Sequence, residues 1–178
     1  MKKKIVLTVT ALTLVLCFAV AGTLAWLVAH TDPVTNTFTV GDINITLTES
    51  TTEYKMVPGN TISKDPTVTV KAGSEACWLF VKVEKSANFD NFMTYSIDSG
   101  WTELTGVDGV YYREVGAATV DESYSVLAGN KVTVMDTVTK DDLTADDFKQ
   151  PTLTFTAYAV QKDNITTATA AWNQISQS

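Results

Sequence analysis

The chain of 178 residues has one histidine, His30, one arginine, Arg113, and two cysteines, Cys17 and Cys77. A Ser-His-Asp or Cys-His nucleophile would have to use His30, and no spacing ties it to a serine or to Cys77. Tetrahedral zinc needs several His or Cys ligands that the chain does not have, and it contains no HExxH, GxGxxG, P-loop or GxSxG. Basic residues are also scarce: 13 Lys+Arg against 20 Asp+Glu give a net charge of −7. That balance excludes a nucleic-acid binder, whose basic face must neutralise phosphates. No cofactor and no metal site is expected, and the chain reads as a non-enzyme.

Hydrophobic residues make up 45 % of the sequence, and they begin early. Lys2, Lys3 and Lys4 precede an uncharged apolar run from Ile5 to Ala29, the order of a secretory signal peptide. A helix is expected there. Small residues allow cleavage between Ala25 and Trp26, or as second choice between Ala21 and Gly22. The alternative is an uncleaved membrane anchor, since about 20 apolar residues suffice to span a bilayer. Cleavage removes Cys17 and leaves Cys77 with no intramolecular partner. Within Ala76-Cys77-Trp78-Leu79-Phe80-Val81, Cys77 reads as an inert core thiol.

From residue 37 onward Thr and Val alternate as in half-buried strands. Strands are expected at 37–40, 43–48, 67–71, 78–84, 111–115, 131–135 and 152–160. In the fourth, Leu79, Val81 and Val83 take one face and Trp78, Phe80 and Lys82 the other. Turns are expected at Pro58-Gly59-Asn60, Ala72-Gly73-Ser74, Asp98-Ser99-Gly100, Asp108-Gly109 and Gly129-Asn130. Short helices are expected over 144–148 and 166–175. No repeat or linker divides the chain, so the reading is one all-β domain, a jelly-roll-like β-sandwich with one or two short helices.

Asp141-Asp142 and Asp146-Asp147 lack the spacing of a calcium loop and read as helix-capping and solvated acids. Of the tryptophans, Trp78 and Trp172 lie in apolar patterns, while Trp101 looks loop-borne and open to stacking on a sugar. The sequons Asn44-Ile45-Thr46 and Asn164-Ile165-Thr166 matter only in a eukaryotic secretory route.

Several segments in order resemble one family. They are Ala21-Gly22-Thr23-Leu24-Ala25-Trp26-Leu27 after the Lys-rich start, then Phe38-Thr39-Val40-Gly41-Asp42-Ile43-Asn44-Ile45, Met56-Val57-Pro58-Gly59-Asn60 and Trp78-Leu79-Phe80-Val81-Lys82-Val83. The chain is similar to the TasA/camelysin proteins of Gram-positive bacteria, whose leader is read by a SipW-type signal peptidase. The resemblance covers both ends and is weak in the middle. It implies a secreted jelly-roll subunit of biofilm-matrix or cell-surface fibres, in which the freed N-terminus of one subunit adds as a strand to the next. The expected organisation is a signal peptide over 1–25, a donor segment over 26–37 and a sandwich over 38–178. Trp26, Leu27, Val28, Ala29 and Thr31 would carry the donor strand, which should break or stay at an edge at Pro33. The partner would be a second copy, head to tail, or a related fibre subunit. The family's Ala-aromatic-Phe-Thr-Asp transition is loosened here to Ala25-Trp26-Leu27-Val28-Ala29-His30-Thr31-Asp32, and the zinc-endopeptidase activity attributed to some relatives lacks ligands in this chain. The rival readings are a monomeric membrane- or wall-associated adhesin or ligand-binding β-sandwich, and a secreted hydrolase with converging acids.

Overall fold

The computed structural model describes residues 42–51 and 54–176. The expected leader, both cleavage positions and the donor segment lie outside the described residues. Ten strands and three short helices follow in order: β1 (Ile45–Thr48), β2 (Thr61–Ser63), β3 (Thr67–Val70), β4 (Cys77–Lys85), α1 (Phe89–Phe92), β5 (Met93–Ile97), β6 (Thr102–Glu103), β7 (Val110–Val115), β8 (Glu122–Ser125), β9 (Leu127–Val134), α2 (Lys140–Thr144), β10 (Leu153–Gln161) and α3 (Ala168–Ile175). The described protein is mostly β, as expected. All strand pairs are antiparallel, in three sheets ordered β1-β3-β8, β2-β9-β5 and β10-β4-β7-β6.

The first two sheets meet at Pro66, which is wholly buried. Lacking an N–H, it interrupts the chain between β2 and β3. Its carbonyl accepts the Val126 N–H at 2.9 Å, while Asn130 O accepts from Lys64 N–H at 2.8 Å. These bonds carry the ladder from one sheet toward the other. Outward positions of the first sheet are hydroxyls, in the rows Thr46, Thr69, Ser123 and Thr48, Thr67, Ser125. Inward positions such as Val68 and Val70 meet β4. That period of two explains the Thr-Val alternation.

Strand β4 is the centre of the molecule because both its faces are apolar. Cys77, Leu79, Val81 and Val83 enter a core with Val68, Val70, Trp101 and Val126. Trp78 and Phe80 enter a second core with Leu104, Val110, Ala171 and Trp172. A third core, of Phe89, Met93, Leu127, Val132, Val134 and Val138, lies under β2-β9-β5. Each buried Val, Leu, Phe or Met among them contributes about 1.5–3 kcal/mol by leaving water. The β6–β7 connection closes tightly against β4: Gly109 has φ +70, and a Cβ there would sit 2.5 Å from Val83 O.

Four expectations are corrected. The helix placed over 144–148 is instead α2, because Thr139 and Asp142 form a capping box that starts it earlier, and Ala145 turns extended. Gly129-Asn130 is not a strand-ending turn; both residues have positive φ inside β9, opposite a register shift in β5. The strand expected from Ile43 begins at Ile45, since Asn44 N–H bonds the Ser74 hydroxyl at 3.1 Å. Strands β2, β5, β6 and β8 were not expected, although Met93, Tyr95 and Ile97 carry a period of two.

Candidate assembly edge

Strand β10 pairs with β4 through nine consecutive residues, from Leu153 opposite Lys85 to Gln161 opposite Cys77, without a break in register. It is the last strand of its sheet and has no second partner among the described residues. Nine residues leave an open ladder of about 30 Å. Proteins blunt such edges with lysines, prolines, bulges or brevity. The opposite edge, β6, is two residues long, but β10 contains no lysine, proline or glycine. None of its residues is fully buried.

Beside the Leu153 end lies a groove of about 1070 Å³, walled by Met56, Val57, Ile62, Phe148 and Leu153 and floored by Met93. It lies between β2 and the approach to β10. Val57 is one of two large apolar side chains left well exposed among the described residues, at 47 %. Lys64 stands at this site between the rings of Tyr54 and Phe155, 5.1 and 5.4 Å from their centres. It is paired with Glu49, and the two side chains are only 11 % and 16 % exposed. Tyr54 donates its hydroxyl to Glu49 at 2.8 Å. Burial, and then this bond to a carboxylate, push the phenol well above its ordinary range.

The opposite end of β10 is where the described chain begins. Lys162 N–H, just past β10, donates to Ala76 O at 2.8 Å, and Glu75 N–H donates to Asp42 O at 3.0 Å. Residue 42 therefore enters beside the Gln161 end, far from the groove.

The cleavage positions Ala25, Trp26, Ala21 and Gly22, the donor residues Trp26, Leu27, Val28, Ala29 and Thr31, and His30 all lie outside the described residues. Cys77 is fully buried, and burial pushes its thiol up to about 11. Trp78 donates its indole N–H to Ile165 O at 2.9 Å, and Trp172 covers Phe80 at 5.3 Å between ring centres. Trp101 is loop-borne as expected, between β5 and β6, but its expected openness to a sugar is corrected. The residue is 6 % exposed, donates to Ser125 O at 2.8 Å and lies under Arg113. No face remains for a sugar.

Asp142 is held in the cap of α2, and its carboxyl sits below the ordinary range because Thr139 donates to it. Among the described residues no three His, Cys, Asp or Glu side chains are grouped to hold a metal, and no helix is long and apolar enough to cross a membrane. The groove and the Lys64 cluster escaped sequence reading, because Glu49, Tyr54, Lys64 and Phe155 meet only through the fold. No family model, curated protein or solved structure matches the chain.

Proposed function

We propose that the protein is a secreted structural subunit of extracellular biofilm-matrix or cell-surface fibres, a jelly-roll sandwich of the TasA/camelysin kind. A leader over 1–25 exports it, SipW-type cleavage frees the N-terminal segment, and that segment adds as a strand to the next copy. The observation that carries this reading is β10: nine residues with no second pairing partner among the described residues and no lysine, proline or glycine. Unpaired N–H and C=O groups on such an edge are satisfied by another chain's backbone. Because donor and acceptor are different surfaces, the contact is heterologous and repeats into a filament. Membrane tethering withholds the donor until cleavage, so processing is the switch.

The test compares chains beginning at Trp26 and at Asn36 by size exclusion and negative-stain microscopy. Filaments from the longer chain alone support strand donation. Stable monomers from both favour the adhesin reading.

A further inference from the structure

We infer that the incoming segment runs antiparallel to β10, pairs Leu27 opposite Gln161, and seats Phe38 in the groove beyond Leu153 of the receiving subunit. This rests on the fibre reading, and three observations set direction and register.

The first is where the chain emerges. Residue 42 enters its own domain at the end where β10 finishes, marked by the Glu75–Asp42 and Lys162–Ala76 bonds. In a head-to-tail filament every subunit points the same way, so the next subunit presents the end where β10 begins. A segment leaving one domain at residue 42 therefore reaches its neighbour first at Leu153. Followed backward from residue 42, it then extends toward Gln161. Its chain direction opposes that of β10.

The second is the choice of face. Leu153, Phe155, Ala157 and Ala159 of β10 pack on the central core. An antiparallel partner turns one alternate set of its side chains to the same side. Leu27, Ala29 and Thr31 form an uncharged set, whereas the other contains His30 and Asp32. A slip of one residue would bury the wrong set. Leu27 opposite Gln161 places Ala29 opposite Ala159 and Thr31 opposite Ala157.

The third is the groove. The same register carries Phe38 past the end of β10 to the level of Gln150, which lines the cavity with Phe148 and Met56. Met56, Val57, Ile62, Phe148 and Leu153 offer an apolar seat there, and Phe38 is the one aromatic residue of the segment between Thr31 and Asp42. Pro33 falls opposite Phe155, whose N–H and C=O point to the free edge because the even-numbered residues of β10 bond β4, so one bond of the added ladder is forgone at that position.

Disulfide trapping in the exported, processed protein tests this. Cysteines placed as Leu27→Cys with Gln161→Cys are directly opposed, while Leu27→Cys with Thr154→Cys are opposed only in the parallel arrangement. The buried native Cys77 does not compete. The expected result is a ladder of covalent multimers on a non-reducing gel from the first pair only. Phe38→Ala is expected to raise the concentration needed for filaments about tenfold or more, with Phe38→Leu recovering most of it. A ladder from the second pair alone overturns the direction and leaves strand donation standing. Filaments without a ladder from either pair overturn the assigned register and with it this inference. No filaments from the unsubstituted protein overturn the fibre reading and this inference with it.

Discussion

Lys64 is held against Phe155 with its ammonium 5.4 Å from the ring centre, and Glu49 is its ionic partner. One nearly dry ion pair thus joins the strand leaving the second sheet to the open edge of the third. Little water reaches it, so removing one partner strands a charge, whereas removing both leaves a space that apolar atoms can fill. Glu49→Gln is expected to cost about 3 kcal/mol, read as a lower urea midpoint with an unchanged slope. The double replacement Glu49→Leu with Lys64→Met is expected to recover most of that loss. A double mutant as unstable as the single one would show that the charge is not the cause.

Trp172 closes the outer face of β4. Its ring packs 5.3 Å from Phe80 and 5.6 Å from Tyr158. Helix α3 is eight residues long, too short to persist in water unaided, so this contact holds it. Trp172→Ala is expected to cost about 3–5 kcal/mol. Amide exchange of residues 168–175 should then become fast, while β4 stays protected.

Stability should decline at both ends of the pH scale for separate reasons. Asp65, Asp121 and Asp142 sit below their ordinary 3.8, held chiefly by Ser50 N–H, the Lys71 ammonium and the Thr139 hydroxyl, respectively. A carboxylate with a depressed folded value stabilises the protein above its unfolded value, and that contribution disappears as pH falls through the folded one. The urea midpoint should therefore be level above about pH 5 and fall from about pH 4 downward. Replacing the three aspartates by asparagine should flatten that limb.

At the alkaline end, burial pushes the phenols of Tyr95 and Tyr124 up to about 12. Groups with raised folded values stabilise the fold below their unfolded value, and this stability is lost as pH rises from about 10 toward 12. Phenolate absorbance from Tyr95 and Tyr124 should then appear together with unfolding. Titration of these two in the intact fold near pH 10 would contradict their burial.

Local pattern was enough to place β4, since Leu79 and Val81 alternate with Trp78 and Phe80 whichever cores receive them. It also placed α3, whose Thr167 cap and Ala-Trp stripe are contiguous in sequence. It failed at Trp101, because the partners that bury it, Ser125 and Arg113, come from strands far along the chain. It misplaced α2 by weighting the acids at 146 and 147 over the Thr139–Asp142 spacing, a capping signal that was present. The open edge could not be read at all. Leu153–Gln161 looks like any half-buried strand, and only the pairing order leaves it last in its sheet.

That edge gives the most direct test of assembly. Thr154 and Thr156 lie opposite Glu84 and Lys82, on the side of β10 away from the central core. A lysine at either site adds the kind of charge that natural sheets use against unwanted pairing. Exposed substitutions usually change stability by no more than about 0.5 kcal/mol. Thr154→Lys should therefore leave the melting temperature of the monomer almost unchanged and reduce filament formation at least about tenfold, with Thr154→Val as the uncharged control. The edge must then accept a strand whose neighbour is a desolvated ammonium, which opposes addition without touching the fold. Equal loss of filaments in the valine variant would point to side-chain contact and away from charge. Undiminished filaments from Thr154→Lys, even with Thr156→Lys added, would move the acceptor elsewhere, to β1, β5 or β8, the other edge strands of at least four residues among the described residues.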